Sequence, residues 1–331
     1  MNAHAKETAE TIRSAVLEAG YDACGIATAD AFPEFERILR ERMDRFPETR
    51  ALYEPMLKRG APQAAAPWAH SLIVAVRRYG KYRLPPGLAG HIGRAYLFDR
   101  RTAACPDHAM AGEVVRRLKA LGLRVRKGGV PDRWAAARAG IARFGRNGFV
   151  YAEKGGSWIN VETWLTDARL PADAPALDVP CPPDCRACAE ACPTGALDGP
   201  FSMRMDRCVA YLTFAAPEPI AEELQKQMGG WMYGCDRCQE VCPRNRGQWK
   251  ERDRADWLEA VATLLTPAAL AEMDDETYRN AVHPLFWYIP ADRADRWRAN
   301  ARRARRNRRS APCESTGSGG ETCYFDAAMR E

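Results

Sequence analysis

Apolar residues recur at helical spacing from Ala5 to Ala19, and Gly20 stops that pattern just before the strand-like run Ala23–Ala27. Ser71–Val76 is a short apolar run of β type that leads into Arg77, Arg78 and Tyr79. Ala111–Leu121 repeats the amphipathic helical pattern and stops at Gly122. Phe149–Glu153 and Trp158–Leu165 read as two strands of a hairpin, joined by a turn at Lys154, Gly155 and Gly156. A proline-rich stretch, Pro171–Pro183, then breaks the pattern. Beyond it, Trp257–Leu265 and Pro267–Met273 have helical character, Pro284 and Pro290 interrupt it, and Arg293–Arg309 predicts a basic helix. The run Ser315-Thr316-Gly317-Ser318-Gly319-Gly320 is linker-like, so 310–331 reads as a disordered tail. These elements predict an α+β protein: a mixed α/β domain over 1–172, a cysteine-rich unit over 173–248 and a small helical, basic unit over 249–309.

The cysteines change this picture most. Of twelve, eight fall into two runs: Cys181, Cys185, Cys188 and Cys192-Pro193, then Cys208, Cys235, Cys238 and Cys242-Pro243. Each run ends in Cys-x-x-Cys-x-x-x-Cys-Pro, the spacing in which three thiolates close on one cubane and the fourth reaches its neighbour. The pattern is that of a two-cluster ferredoxin module. One 4Fe–4S cluster then takes Cys181, Cys185, Cys188 and Cys242, and the other takes Cys208, Cys235, Cys238 and Cys192. Zinc ribbons space their cysteines as separated pairs, without a third cysteine followed by proline. A disulfide framework requires an exported chain, and Met1–Gly20 is charged and amphipathic, with no apolar signal core. Three residues, Pro182, Pro183 and Asp184, separate Cys181 from Cys185 where the bacterial run has two. Cys24 and Cys105 read as small buried apolar residues, and Cys313 and Cys323 are given no ligand role.

At 331 residues the chain exceeds the needs of a ferredoxin, so it carries a further activity besides the clusters. It has no run of eighteen apolar residues, which predicts no membrane span, and reduced cysteines point to the cytoplasm. The formal net charge is only +6, yet nine arginines fall between Arg293 and Arg309. Such a run neutralises phosphates or simply ends a solvated helix. Trp287 and Trp297 offer stacking surfaces, though tryptophan in a helical unit is more often core.

Several segments together resemble the epoxyqueuosine reductase family, iron–sulfur and cobalamin enzymes that act on a modified tRNA nucleoside. Ala139-Gly140-Ile141-Ala142-Arg143-Phe144-Gly145-Arg146-Asn147 is similar to the family's glycine-rich segment, with arginine where lysine is usual. Gly156-Ser157-Trp158-Ile159 and Leu165-Thr166-Asp167 are similar to the strands that follow it. Around the cysteines the likeness covers Cys192-Pro193-Thr194-Gly195-Ala196, Cys208-Val209-Ala210-Tyr211-Leu212-Thr213 and the stretch Gly234-Cys235 through Cys242-Pro243-Arg244-Asn245.

The resemblance implies an N-terminal corrinoid- and substrate-binding domain, a double-cluster domain and a helical C-terminal unit. It implies cobalamin beside the two 4Fe–4S clusters, and an electron donor such as a reduced ferredoxin or flavodoxin. Tyr96, Arg146, Asn147, Ser157 and Tyr211 are the residues it puts against the corrin. No Asp-x-His-x-x-Gly motif is present, which fits a corrin bound without a histidine on cobalt and equally fits no corrin. The family's proton-donating aspartate lies in an Asp-x-x-Pro-x-x-Glu-Arg segment. Here the corresponding stretch is Lys127-Gly128-Gly129-Val130-Pro131-Asp132-Arg133-Trp134, with no aspartate at that position. The family's Arg-Asp-Tyr-His segment is matched only by Arg94-Ala95-Tyr96 and, later, Asp107-His108. Asp132, Asp107 and His108 are therefore the candidate acids, for epoxyqueuosine in tRNA or for another substrate. If the substrate is tRNA, the Arg293–Arg309 run is its candidate surface. The alternative is a ferredoxin-like electron-transfer protein without a corrin.

Overall fold

In the computed structural model, which describes residues 3–310, the strands are β1 (Ala23–Thr28), β2 (Ser71–Arg78), β3 (Val125–Lys127), β4 (Arg143–Phe144), β5 (Val150–Tyr151) and β6 (Ile159–Thr166). Four of them form an antiparallel sheet in the order β1-β2-β6-β3. The apolar run read from sequence is its central strand: β2 is buried along almost its whole length and pairs with β6 from Ser71 opposite Thr166 to Arg78 opposite Ile159.

Because successive side chains alternate between faces, β2 serves two cores. Ile73 and Ala75 join Trp164 under α1 (Ala3–Glu18) and the helix Met110–Ala120. Leu72, Val74 and Val76 face the helices Pro33–Arg45 and Asp132–Arg138. We call these α2 (Pro33–Arg45), α3 (Met110–Ala120) and α4 (Asp132–Arg138). Gly20 and Gly122, with φ of +103° and +79°, end α1 and α3 where the sequence placed the stops.

The predicted hairpin is not one. Its first strand is short, and β5 pairs with β4 instead, while β6 belongs to the main sheet. Only an isolated bridge, Ala152 to Gly156, connects the two. The tight turn lies where the sequence predicts it, but the Gly145–Gly148 loop folds β5 back on β4 and takes its edge.

Packing also groups the chain differently from consecutive cuts at 172/173 and 248/249. One unit holds residues 1–83, 98–208 and 237–254, so most of the cysteine-rich region packs with the sheet domain. Among the described residues, the other holds 84–97, 209–236 and 255–310. This second unit is helical, with α5 (Val209–Phe214), α6 (Pro267–Glu272) and α7 (Ala294–Ser310). Trp297 of α7 is buried and stacks on Tyr233, with centroids 4.8 Å apart, so it is core, whereas Trp287 stays 40% exposed. Residues 311–331, the rest of the predicted tail, lie outside the described residues.

Candidate double-cluster site

The two Cys-x-x-Cys-x-x-x-Cys-Pro units fold alike. In the first, the short helix Ala187–Glu190 spaces Cys185, Cys188 and Cys192; in the second, Arg237–Glu240 spaces Cys235, Cys238 and Cys242. A turn closes each one, Cys192 N–H donating to Ala189 O and Cys242 N–H to Gln239 O, both at 3.2 Å. The proline that follows cannot continue the helix. The two short helices pack on each other. Cys181, Cys185, Cys188 and Cys242 consequently line one cavity, together with Arg146, Asn147, Tyr151, Ala187 and Pro243. The extra residue after Cys181 therefore does not carry it away from its partners.

The chemistry of this donor set suits a cluster. Burial, and then the neighbouring Cys242, Cys181 and Cys185 sulfurs, push the Cys188 thiol above its ordinary range. Four thiolates so placed need positive charge at their centre. They ring a cavity rather than meet at a point, and among the described residues no three His, Cys, Asp or Glu side chains close on a single metal ion. Of the second predicted set, Cys192, Cys208 and Cys238 belong to the first unit and Cys235 to the segment 209–236 of the other. Cys192 Sγ accepts from Ala196 N–H at 3.2 Å. Within its own unit, Cys235 packs against the Val209, Leu212, Ala216, Met228 and Trp231 cluster.

The glycine-rich segment is built against the cysteines. A Cβ on Gly145 would meet the Tyr151 ring at 2.5 Å, so glycine there admits the tyrosine. Arg146 N–H points at Cys181 Sγ at 3.4 Å, and its Nη1 donates to Cys185 O at 3.2 Å. Asn147, 3% exposed, donates from Nδ2 to Tyr151 Oη at 2.9 Å and to Cys238 O at 3.1 Å. Ser157, 2% exposed, donates from Oγ to Gln239 Oε1 at 2.9 Å and accepts from Asn245 Nδ2 at 2.8 Å. Asn147 and Ser157, placed against a corrin by the resemblance, are thus enclosed by protein and hold the second cysteine run in register. Arg146 keeps part of its surface exposed. In the other unit Tyr96 and Tyr211 are also half-buried, with Tyr96 edge-on to Phe214, Tyr233 and Tyr288. Gln239, Asn245 and Tyr151 were not singled out from sequence, although Asn245 closes the motif-like stretch after Cys242-Pro243.

The three candidate acids do not converge. Asp107 is buried in an ion pair with Arg77, accepts from Tyr82 Oη at 2.8 Å and lies 3.3 Å from Lys81 Nζ. His108 Nδ1 lies 3.0 Å from Arg100 O, and Arg100 pairs with the buried Glu162 at 2.6 Å. Arg77 shares its face of β2 with Ile73 and Ala75, and Glu162 its face of β6 with Trp164, so this ionic cluster lies on the α1/α3 face of the sheet. Asp132 opens α4 on the opposite face, where Thr163 Oγ1 donates to its Oδ1 at 2.8 Å. Desolvation, only partly offset by that hydrogen bond, raises the Asp132 pKa above the usual carboxylate range. Asp107 is the buried partner of Arg77 and Lys81, a structural role in this arrangement. Asp132 is the candidate whose surroundings favour the proton.

The arginine run divides as well. Arg296 and Arg303 turn inward: Arg296 donates to the carbonyls of Leu212, Thr213 and Ala216, and Arg303 to those of Gly229 and Trp231. Arg302, Arg306 and Arg308 remain exposed.

The fold and cysteine site define an iron–sulfur protein of the double-cluster type. Residues 181–245 match the family model described as 4Fe-4S double cluster binding domain. Over 72% of its length the chain is 32% identical to the epoxyqueuosine reductase of Synechococcus sp. strain RCC307, covering 76% of that protein. Over 71% of its length it is 31% identical to the Staphylococcus aureus enzyme of the same name, spanning 63% of it, just under two thirds. The solved epoxyqueuosine reductase from Streptococcus thermophilus shares the fold, with a TM-score of 0.73 at 23% identity over 90% of this chain and 81% of that one. The chain belongs to the epoxyqueuosine reductase family.

Proposed function

We propose that the protein is a cytoplasmic, cobalamin-dependent reductase that cleaves its substrate reductively, in the manner its relatives' name describes. The observation that carries the reading is the cavity ringed by Cys181, Cys185, Cys188 and Cys242 with the glycine-rich segment packed against it. The clusters supply one-electron transfer, fed by a donor such as ferredoxin or flavodoxin, and bound cobalamin supplies the reducing cobalt. Arg146 is the residue of the first unit proposed to hold the corrin, since it keeps exposed surface. Gly148, at φ +76° with open space where a Cβ would stand, leaves room beside Arg146. Asn147 and Ser157 are reassigned to holding the cluster segments.

Removing an epoxide oxygen as water consumes protons along with electrons, so a residue must deliver them. Asp132 is proposed for that role: its raised pKa keeps a proton closer to neutral pH, and Thr163 fixes the carboxyl's orientation. A solved relative carries a tRNA-Tyr stem loop bearing epoxyqueuosine. By extension, the exposed arginines of α7 are proposed as a tRNA surface here. No helix among the described residues is long and apolar enough to cross a membrane.

A second reading, reduction of a different substrate, is favoured by Gly128 and Gly129. They lie where the family's acid-bearing segment is expected and adopt φ of +66° and +86°. An anaerobic assay with reductant, cobalamin and epoxyqueuosine-bearing tRNA, read by mass spectrometry of the nucleosides, separates the two. Loss of the epoxide oxygen supports the tRNA reading; an unchanged nucleoside in the presence of reduced clusters and cobalt supports the other.

A further inference from the structure

We infer that Tyr151 sets the reduction potential of the cluster held by Cys181, Cys185, Cys188 and Cys242, with Asn147 as its positioning residue. The inference rests on the two-cluster reading above. Tyr151 Oη lies 3.2 Å from Cys242 Sγ. The direction of that hydrogen bond follows from its neighbours. Phe149 N–H donates to Asn147 Oδ1 at 3.2 Å, which fixes the amide's orientation and turns Nδ2 toward Tyr151 and the Cys238 carbonyl. Nδ2 can only donate, so Tyr151 Oη accepts from it and directs its own proton at the sulfur.

Tyr151 is 5%, Asn147 3% and Cys242 8% exposed, so water does not compete for the bond. In such surroundings a donor to a cluster sulfur stabilises the more negative, reduced state and raises the potential. The hairpin is shaped to hold it there. Gly145 leaves the space the ring occupies, and Gly145 N–H donates to Phe149 O at 2.8 Å, closing the loop that carries Asn147. Asn147 also reaches Cys238, assigned to the other cluster, so one amide ties both cysteine sets to the tyrosine.

The test is an anaerobic redox titration of the reconstituted full chain, followed by electron paramagnetic resonance, on the wild type, Tyr151→Phe and Asn147→Leu. Tyr151→Phe keeps the ring and removes the hydroxyl. The expected result is unchanged iron content, with the reduction equilibrium of one cluster falling about tenfold, ~59 mV for a one-electron couple, and the other cluster unmoved. Asn147→Leu, which leaves the hydroxyl but frees its rotation, should shift the same cluster in the same direction by less. Two unmoved potentials in Tyr151→Phe would overturn the inference, as would loss of iron, which would make the tyrosine a structural support. A wild type that assembles no clusters would instead overturn the two-cluster reading beneath it.

Discussion

Replacing Arg303 with alanine should cost far more stability than replacing its neighbour Arg302. Arg303 is 3% exposed, and its guanidinium donates from Nη1 to Gly229 O at 3.2 Å and from Nη2 to Trp231 O. Burial, with Arg306 nearby, lowers its pKa to about 10, which still leaves it charged at neutral pH. Two hydrogen bonds from a charged donor are together worth ~3–6 kcal/mol. Against that, its Nε is buried without a partner among the described residues, so truncation returns ~1–3 kcal/mol of desolvation. The net loss is about 2–3 kcal/mol, whereas an exposed residue such as Arg302 should change stability by no more than about 0.5 kcal/mol. Urea unfolding followed by tryptophan fluorescence measures both, because Trp231 and Trp297 are buried in the same unit. Equal midpoints for the two variants, or tRNA binding lost in Arg303→Ala with stability intact, would refute the assignment of Arg303 to the core.

Asp107→Asn leaves Arg77 buried without its counter-charge and should destabilise the first unit by about 3–5 kcal/mol; thermal unfolding within a degree of wild type would contradict it. Asp132 has the opposite sign. Its raised pKa favours the fold at acid pH, and that contribution is lost as pH rises through the folded-state value, so Asp132→Asn should gain stability at pH 7 relative to pH 4. Denaturation curves at the two pH values check this, and an unchanged difference between them would count against a desolvated carboxyl. For the proposed tRNA surface, the triple substitution of Arg302, Arg306 and Arg308 by alanine should weaken binding and flatten its salt dependence, by ~0.9 in log–log slope for each lost phosphate contact. An unchanged slope would remove α7 from that role.

What was legible in the sequence is what short-range spacing controls. The two Cys-x-x-Cys-x-x-x-Cys-Pro units, the central strand beginning at Ser71 and the glycine stops at Gly20 and Gly122 all depend on residues a few positions apart. The rest depends on partners far along the chain. Arg296 and Arg303 look like their exposed neighbours until carbonyls some eighty and seventy residues earlier are brought to them. Asp107 and Asp132 are similar candidates on paper, and only the alternation of β2 and β6 puts them on opposite faces. The resemblance puts Asn147 and Ser157 against a corrin, and both lie near glycines, a setting that suits a ligand as well as a close protein contact. Here the partners are Tyr151, Gln239 and Asn245, supplied by later strands and the second cysteine run.

The most direct test of the central claim is an anaerobic titration of the iron-reconstituted protein with hydroxocobalamin under reductant, read by electron paramagnetic resonance of the cobalt. The account predicts stoichiometric binding and a cobalt signal without nitrogen splitting from an axial histidine, because the chain has no Asp-x-His-x-x-Gly motif. Two intact clusters and no bound cobalamin would contradict it, and would leave an electron-transfer protein.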